Sequence, residues 1–290
     1  MKRTAGETLF MWINYIILAL LGLLTLYPFL YVLSASLSSP QAVVSGKVLL
    51  WPQDVTWHAY ERVLTEPGIW LAYANTVYYA VAGTAVSLLL TVLGAYPLSK
   101  KRVMGRTVIS FMIAFTMWFN AGMIPFYLNM RDLQLLDSRT GIIIGFAITT
   151  FLVFIMRTFF QSIPEELEES AKVDGASDWT TLWRIYMPLS KPALATVGLF
   201  YLVSRWNGYF WAMILLRDSD KIPLQVLLKK LIVEMNLSET MISSADISGS
   251  FTQETIIYAT IVVAIVPMVL VYPFIQRFFT KGALIGSVKG

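Results

Sequence analysis

The sequence predicts an all-α integral membrane protein with six transmembrane helices, and three observations predict it. Hydrophobic residues make up 57% of the 290 and charged residues only 14%, where a soluble domain needs roughly a quarter charged to keep its surface wet. Mean hydropathy is +0.64. Six apolar stretches are each long enough to cross a hydrocarbon layer of about 30 Å as a helix, which pairs its own backbone polar groups without water. Composition also excludes. With no cysteine there is no disulfide framework, thiolate metal site or cysteine nucleophile. The single histidine, His58, cannot build a metal cluster and reads as a solvated loop residue.

The stretches cover residues 9–32, 72–98, 107–128, 141–160, 193–216 and 255–279. The first is followed by the small residues Ser34, Ala35 and Ser36, as a cleaved signal would be. It is longer than a signal's apolar region and five more spans follow, so it reads as an anchor. Lysine and arginine set the orientation. With the N-terminus cytoplasmic, thirteen of them fall inside and eight outside. The run Lys100-Lys101-Arg102, in a loop too short to translocate freely, decides the matter. Both termini then face the cytoplasm. The net charge of +4 is accounted for by such loops and implies no nucleic-acid surface.

This topology makes residues 1–290 a single transmembrane domain without internal repeat. Residues 34–70 and 217–254 are long external loops, the second opening with a short amphipathic helix over 223–232. Residues 161–192 are the one large cytoplasmic loop. Asn120 and Asn129 read as interhelical hydrogen-bonding groups. Trp118, Tyr73, Tyr78 and Tyr79 read as interface anchors or packing. No acid falls within a span. Arg205 alone carries a formal charge deep in the membrane, near the middle of the fifth span.

The cytoplasmic loop predicts two short helices with a break. Ser162 caps the first, Pro164 suits its first turn, and Glu165, Glu166 and Glu168 complement its positive end. Gly175 supplies a left-handed stop. Ser177 or Asp178 caps the second helix, where Trp179, Leu182, Trp183 and Tyr186 form one apolar stripe and Pro188 ends it. The carboxylates are expected to be exposed.

The spacing of Glu169, Ala171, Gly175, Ile185 and Pro188 resembles the "EAA" loop of binding-protein-dependent ABC importer permeases. It departs only at Ser170, where the family has Ala, and at Met187, where it has Leu. Asp174-Gly175-Ala176 resembles the form found in carbohydrate importers. The Trp206-Asn207 pair and the Pro223-Leu224-Gln225 opening resemble the second permease of the maltose type. The tail over 278–290 is similar to that of the polysaccharide and oligosaccharide branch, which includes the importer for alginate oligosaccharides.

The resemblance implies the type I ABC importer permease fold, a place in the bacterial inner membrane, and alternating access. It implies a coupling helix, with Glu168, Glu169, Ala171, Asp174, Gly175, Ala176, Ile185 and Pro188 as the residues coupling to the ATPase. Implied partners are a different second permease, two ATP-binding subunits, a periplasmic solute-binding protein and the lipid bilayer. No Gly-x-x-x-x-Gly-Lys-Ser/Thr stretch is present. The chain is thus expected to be non-catalytic and to bind no cofactor or metal, with ATP and Mg in the partner.

Arg205, Trp206, Asn207 and Tyr209 are the candidate substrate pathway. A charge at mid-bilayer faces a cavity or the bundle interior, so Arg205 either pairs with helix carbonyls or a partner's acid, or favours an anionic sugar. A proton- or sodium-coupled secondary transporter and a membrane-embedded transferase are the competing classes. The transferase would need a carboxylate or histidine constellation at membrane depth, and the spans offer none. The secondary transporter ordinarily uses intramembrane Asp or Glu, or broken helices in repeated halves, and the sequence shows neither such acids nor a repeat.

Overall fold

A computed structural model describes residues 4–119, 121–241, 254–270 and 273. In chain order the helices are α1 (Ala5–Ser36), α2 (Pro40–Val44), α3 (His58–Thr65), α4 (Pro67–Ser99), α5 (Arg106–Trp118), α6 (Met123–Asp132), α7 (Arg139–Ile144) and α8 (Thr150–Gln161). Then follow α9 (Glu165–Val173), α10 (Asp178–Thr181), a π-turn (Leu182–Tyr186), α11 (Met187–Leu189), α12 (Lys191–Asn207), α13 (Phe210–Leu215), α14 (Leu224–Met241) and α15 (Glu254–Leu270). No strand occurs among the described residues. Asn120, the tail over 278–290 and most of the sixth span beyond Leu270 lie outside them.

The chain forms two compact units. One comprises Met1–Trp70 with Leu228–Pro267, the other Leu71–Leu227 with Met268–Gly290. In the first unit, Thr4 and Glu7 start α1 with a reciprocal capping box. Large apolar side chains from Leu9 to Leu30 stay exposed within the chain. A helix apolar all round and bare all round is built for lipid or another subunit. The small residues after it do packing work: Ala35 and Ser36 are fully buried. The Ser34 hydroxyl donates to the Leu50 carbonyl at 2.6 Å, and Ser38 accepts from the Gln53 amide at 3.0 Å. These bonds fold the 34–70 segment back on its own helix.

In the second unit, the C-terminal half of α4 packs with α8, α12 and the 161–192 hairpin around Val92, Met156, Phe160, Leu182, Tyr186 and Val197. The N-terminal half of α4 packs with α6, α7, α13 and the start of α14 around Tyr79, Met130, Ile143, Leu215 and Val226. Lipid removes the hydrophobic drive between helices, so close approach and polar contacts must hold them together. Gly198 of α12 supplies one such approach, since a Cβ there would lie 3.1 Å from Leu88.

Three of the six expected spans are broken. The third is α5 followed by α6 at 116°. The fourth is α7 and α8, separated by residues 145–149, and the fifth is α12 and α13, parted at Gly208 and Tyr209. Among the described residues, α1 and α4 alone are long and apolar enough to cross a membrane, with the bent α5–α6 pair as a third candidate. The breaks went unseen for a physical reason: a hydropathy window averages across a break without registering it. Such breaks survive at membrane depth only inside protein or beside a wet cavity.

The turn into α7 is tight. A Cβ on Gly141 would lie 2.2 Å from the Leu135 carbonyl oxygen, whereas one on Gly22 meets nothing within 4 Å. Gly141→Ala should therefore lower the unfolding midpoint of the detergent-solubilised protein by several degrees, since overpacking costs about 1–3 kcal/mol. Gly22→Ala should leave that midpoint unchanged.

Candidate functional site

The hairpin after α8 folds from local signals. Gly175 has φ +81°, a conformation that favours glycine, and its N–H closes α9 on the Lys172 carbonyl at 3.0 Å. Ser177 caps α10 by accepting from the Thr180 amide at 3.2 Å. Two details differ from expectation. Pro164, not Ser162, is the N-cap of α9; the Ser162 hydroxyl instead donates to the Phe159 carbonyl. Pro188 does not end the second helix. The chain widens into the π-turn just before it, with the Met187 amide reaching the Leu182 carbonyl. A π-turn accommodates a disrupted ladder without stopping the helix.

The residues with the family spacing separate by burial. Glu169, Asp174, Gly175 and Pro188 are exposed, while Ala171, Ala176 and Ile185 are half-buried. Apolar side chains stand out beside them: Val173 at the end of α9 is 89% exposed and Trp179 61%. Glu168 is the correction. It was expected among exposed carboxylates and is 7% exposed. Its carboxylate pairs with the buried Lys100 ammonium and accepts from Lys172 at 2.6 Å and from the Tyr186 hydroxyl at 3.1 Å. Lys100 in turn sits 3.6 Å from the Tyr186 ring centre and 4.4 Å from that of Tyr96. Its neighbours in sequence reach the same hairpin: Lys101 pairs with Glu165 at 3.0 Å, and Arg102 pairs with Asp178.

These pairs are not equal. Exposed ion pairs contribute about 0–1 kcal/mol. Removing one partner of a buried pair costs about 3–5 kcal/mol, because the other charge is stranded. Lys100–Glu168 therefore governs the cluster. Burial pushes the Glu168 carboxyl up, but the hydrogen bonds from Lys100 and Lys172, the Lys100 charge and the Tyr186 hydroxyl together outweigh it. The result is about 2, against an ordinary 4.5. Burial, with Lys172 and Arg102 close by, lowers Lys100.

A second site lies where the fourth and fifth spans break. The Arg205 guanidinium, in the last turn of α12 and not mid-helix, donates to the carbonyls of Ile142 (2.6 Å), Ile143 (3.0 Å) and Phe146 (2.6 Å), and to the Ser87 hydroxyl at 3.3 Å. It thereby satisfies carbonyls freed where α7 stops. Tyr201, one turn earlier on the same face, serves the other side of the break. Its hydroxyl accepts from the Thr149 amide at 3.1 Å and bonds Thr91 at 2.7 Å. Gly83 leaves room for the arginine, since a Cβ there would lie 3.1 Å from Nε.

Between these segments is a cavity of about 390 Å³ whose lining includes Thr149, Ser204, Asn207, Tyr209, Phe210 and Trp211. Among the described residues, Arg205 is the one charged residue lining it. Of the pathway candidates, Arg205, Asn207 and Tyr209 border the cavity. Trp206 does not: it is buried and packs edge-on against Tyr73 at 5.9 Å. Tyr201, Gly83 and Ser87 were missed by sequence reasoning. The available signal was the four-residue spacing of Tyr201 with Arg205 and of Gly83 with Ser87.

Two outcomes follow. Arg205→Met leaves three part-buried carbonyls short of a donor, each costing up to about 1–3 kcal/mol, so the assembled protein should unfold at lower temperature; Gly83→Leu, which evicts the same guanidinium, should imitate it. The depressed Glu168 group contributes stability that is fully present above about pH 4.5 and lost as pH falls toward about 2. The gap in unfolding temperature between wild type and Glu168→Gln should therefore close on acidification through that window.

Residues 98–284, a stretch that contains the Lys100 cluster, the hairpin and Arg205, match the family described as binding-protein-dependent transport system inner membrane component. The chain is 42% identical over 282 residues to the polygalacturonan/rhamnogalacturonan transport system permease protein YtcP of Bacillus subtilis (strain 168), spanning 97% of this chain and 99% of that one. It is 39% identical to protein LplC of the same organism, spanning 100% and 98%. Among solved structures it is 49% identical, with a TM-score of 0.88, to a chain in the crystal structure of a bacterial ABC transporter involved in the import of the acidic polysaccharide alginate, covering 96% and 99%. A chain in the bacterial alginate ABC transporter complexed with alginate pentasaccharide-bound periplasmic protein shares the fold alone, at 14% identity and a TM-score of 0.60 over 95% and 96%. With an exposed hairpin of the family's spacing and apolar helices suited to a bilayer, the protein belongs to the inner-membrane permease components of binding-protein-dependent ABC transport systems, and it is a non-catalytic member of that machinery.

Proposed function

We propose that this permease imports acidic, uronate-containing oligosaccharides of the alginate type, as one of two different permeases working with two ATP-binding subunits and a periplasmic binding protein. The observation that carries this reading is the 49% identity, over 96% of the chain, to a component of an importer for an acidic polysaccharide. The cavity supports it independently. Aromatic faces at Tyr209, Phe210 and Trp211 suit the apolar faces of sugar rings, and Asn207, Ser204 and Thr149 suit their hydroxyl edges. Arg205 spends several donors on carbonyls, yet its charge still biases an otherwise uncharged cavity toward anions.

The mechanism is alternating access. A loaded binding protein docks on the periplasmic segments 34–70 and 217–254. The 217–223 stretch makes a firm platform there, because Asn75 donates to the carbonyls of Asp220 and Ile222 at 2.8 and 3.1 Å. ATP, with Mg, closes the partner ATPases, whose cleft receives α9. The exposed Glu169 and Asp174 orient that contact and Val173 and Trp179 supply its apolar area. The spans then open outward, solute enters, and hydrolysis resets the inward-facing state. Both chain termini face the cytoplasm in this arrangement.

Proteoliposomes containing the complete importer should take up uronate oligosaccharides at least about tenfold faster than neutral ones of equal length. Equal rates would contradict the acidic-substrate assignment. Gly175→Pro, which cannot hold φ +81°, should abolish uptake while membrane insertion stays normal. Undiminished transport would remove α9 from the coupling path.

A further inference from the structure

The three basic residues that set the chain's orientation in the sequence all have partners on the hairpin. Lys100 meets Glu168 and Lys101 meets Glu165, both on α9, and Arg102 meets Asp178 at the start of α10. A cluster retained only for topology requires no partners. Its placement matters mechanically. The hairpin is joined by the chain to α8 and α12, and nothing covalent ties it closely to α4. Yet α4 contributes to the cavity through Tyr79 and supports Arg205 through Gly83 and Ser87. Lys100 follows the last residue of α4 directly.

We infer that Lys100 and Glu168 form the transmission joint that carries movement of α9 into α4, making Lys100 and Glu168 positioning residues for transport, with Tyr186 completing the joint. The inference rests on the coupling reading above and names the route by which the force leaves the hairpin. The joint has the properties such a part needs. Both charges are buried, at 8% and 7% exposure, so neither can trade its partner for water without cost. The Lys100 ammonium lies against two aromatic rings, one on α4 and one in the π-turn. The Tyr186 ring also meets Phe160 of α8 at 5.7 Å and Tyr96 of α4 at 5.2 Å. One side-chain cluster thus touches α4, α8, α9 and the π-turn, so α9 cannot tilt without carrying the foot of α4 along or breaking a buried ion pair.

The test uses the complete importer in proteoliposomes and reads ATP hydrolysed per solute imported. Glu168→Gln and Lys100→Gln should raise that ratio at least about tenfold, and the exchanged pair Lys100→Glu with Glu168→Lys should recover part of the loss. Arg106→Gln removes the same charge from the same cytoplasmic segment and should leave the ratio within about twofold of wild type, which separates coupling from topology. Tyr186→Phe deletes one hydroxyl without stranding a charge. It should raise the ratio about threefold, and it decides the matter if the charge variants fail to assemble. Uptake and hydrolysis that fall in proportion, or a ratio unchanged in Tyr186→Phe and the charge variants alike, would overturn the joint. A wild-type importer showing no ATP-dependent uptake would instead overturn the coupling reading beneath it.

Discussion

Every backbone carbonyl and amide placed in hydrocarbon must find a partner within the protein, and most of what is distinctive in this structure follows from that demand. Uninterrupted α1 and α4 meet it by being helices. The fourth and fifth spans do not, and their breaks come together. One helix, α12, serves both sides of the gap in the fourth span, with Arg205 bonded to carbonyls and Tyr201 accepting from the Thr149 amide. The Arg205 charge is therefore first a structural necessity. Its presence beside a cavity also makes it a positive part of that cavity's wall.

The same logic governs the hairpin, with charges in place of backbone groups. A buried carboxylate survives because Lys100, Lys172, the Arg102 guanidinium at 3.7 Å and the Tyr186 phenol surround it, and the cluster joins segments distant in sequence. Glu168 is 68 residues from Lys100 and 18 from Tyr186. Burial converts what would be a weak surface attraction into a stiff connection. The exposed pairs nearby add direction more than strength.

Local chemistry was legible in the sequence and long-range chemistry was not. The α9 stop at Gly175 and the Ser177 cap depend on a few adjacent residues, and both could be read there. Apolar runs announced membrane helices because lipid demands composition over some 20 residues, but the same averaging hid the breaks at 145–149 and at Gly208. Glu168 looked solvated because four glutamates in five positions resemble a wet helix face; only the fold brings Lys100 and Tyr186 to it. Trp206 stood in the candidate pathway beside Arg205 and Asn207, and those two do border the cavity, while helix geometry turns Trp206 toward Tyr73. Pro188 resembled a terminator, and the π-turn before it removed the need to terminate.

The central claim is that this polypeptide conducts solute only when driven through its hairpin by nucleotide-powered partners. Radiolabelled uronate oligosaccharide flux, measured in vesicles containing the paired permeases with and without the ATP-binding subunits, addresses it directly. The account predicts concentrative uptake that requires the ATP-binding subunits, ATP and the binding protein together. Net uptake at a similar rate from the permeases alone would contradict it.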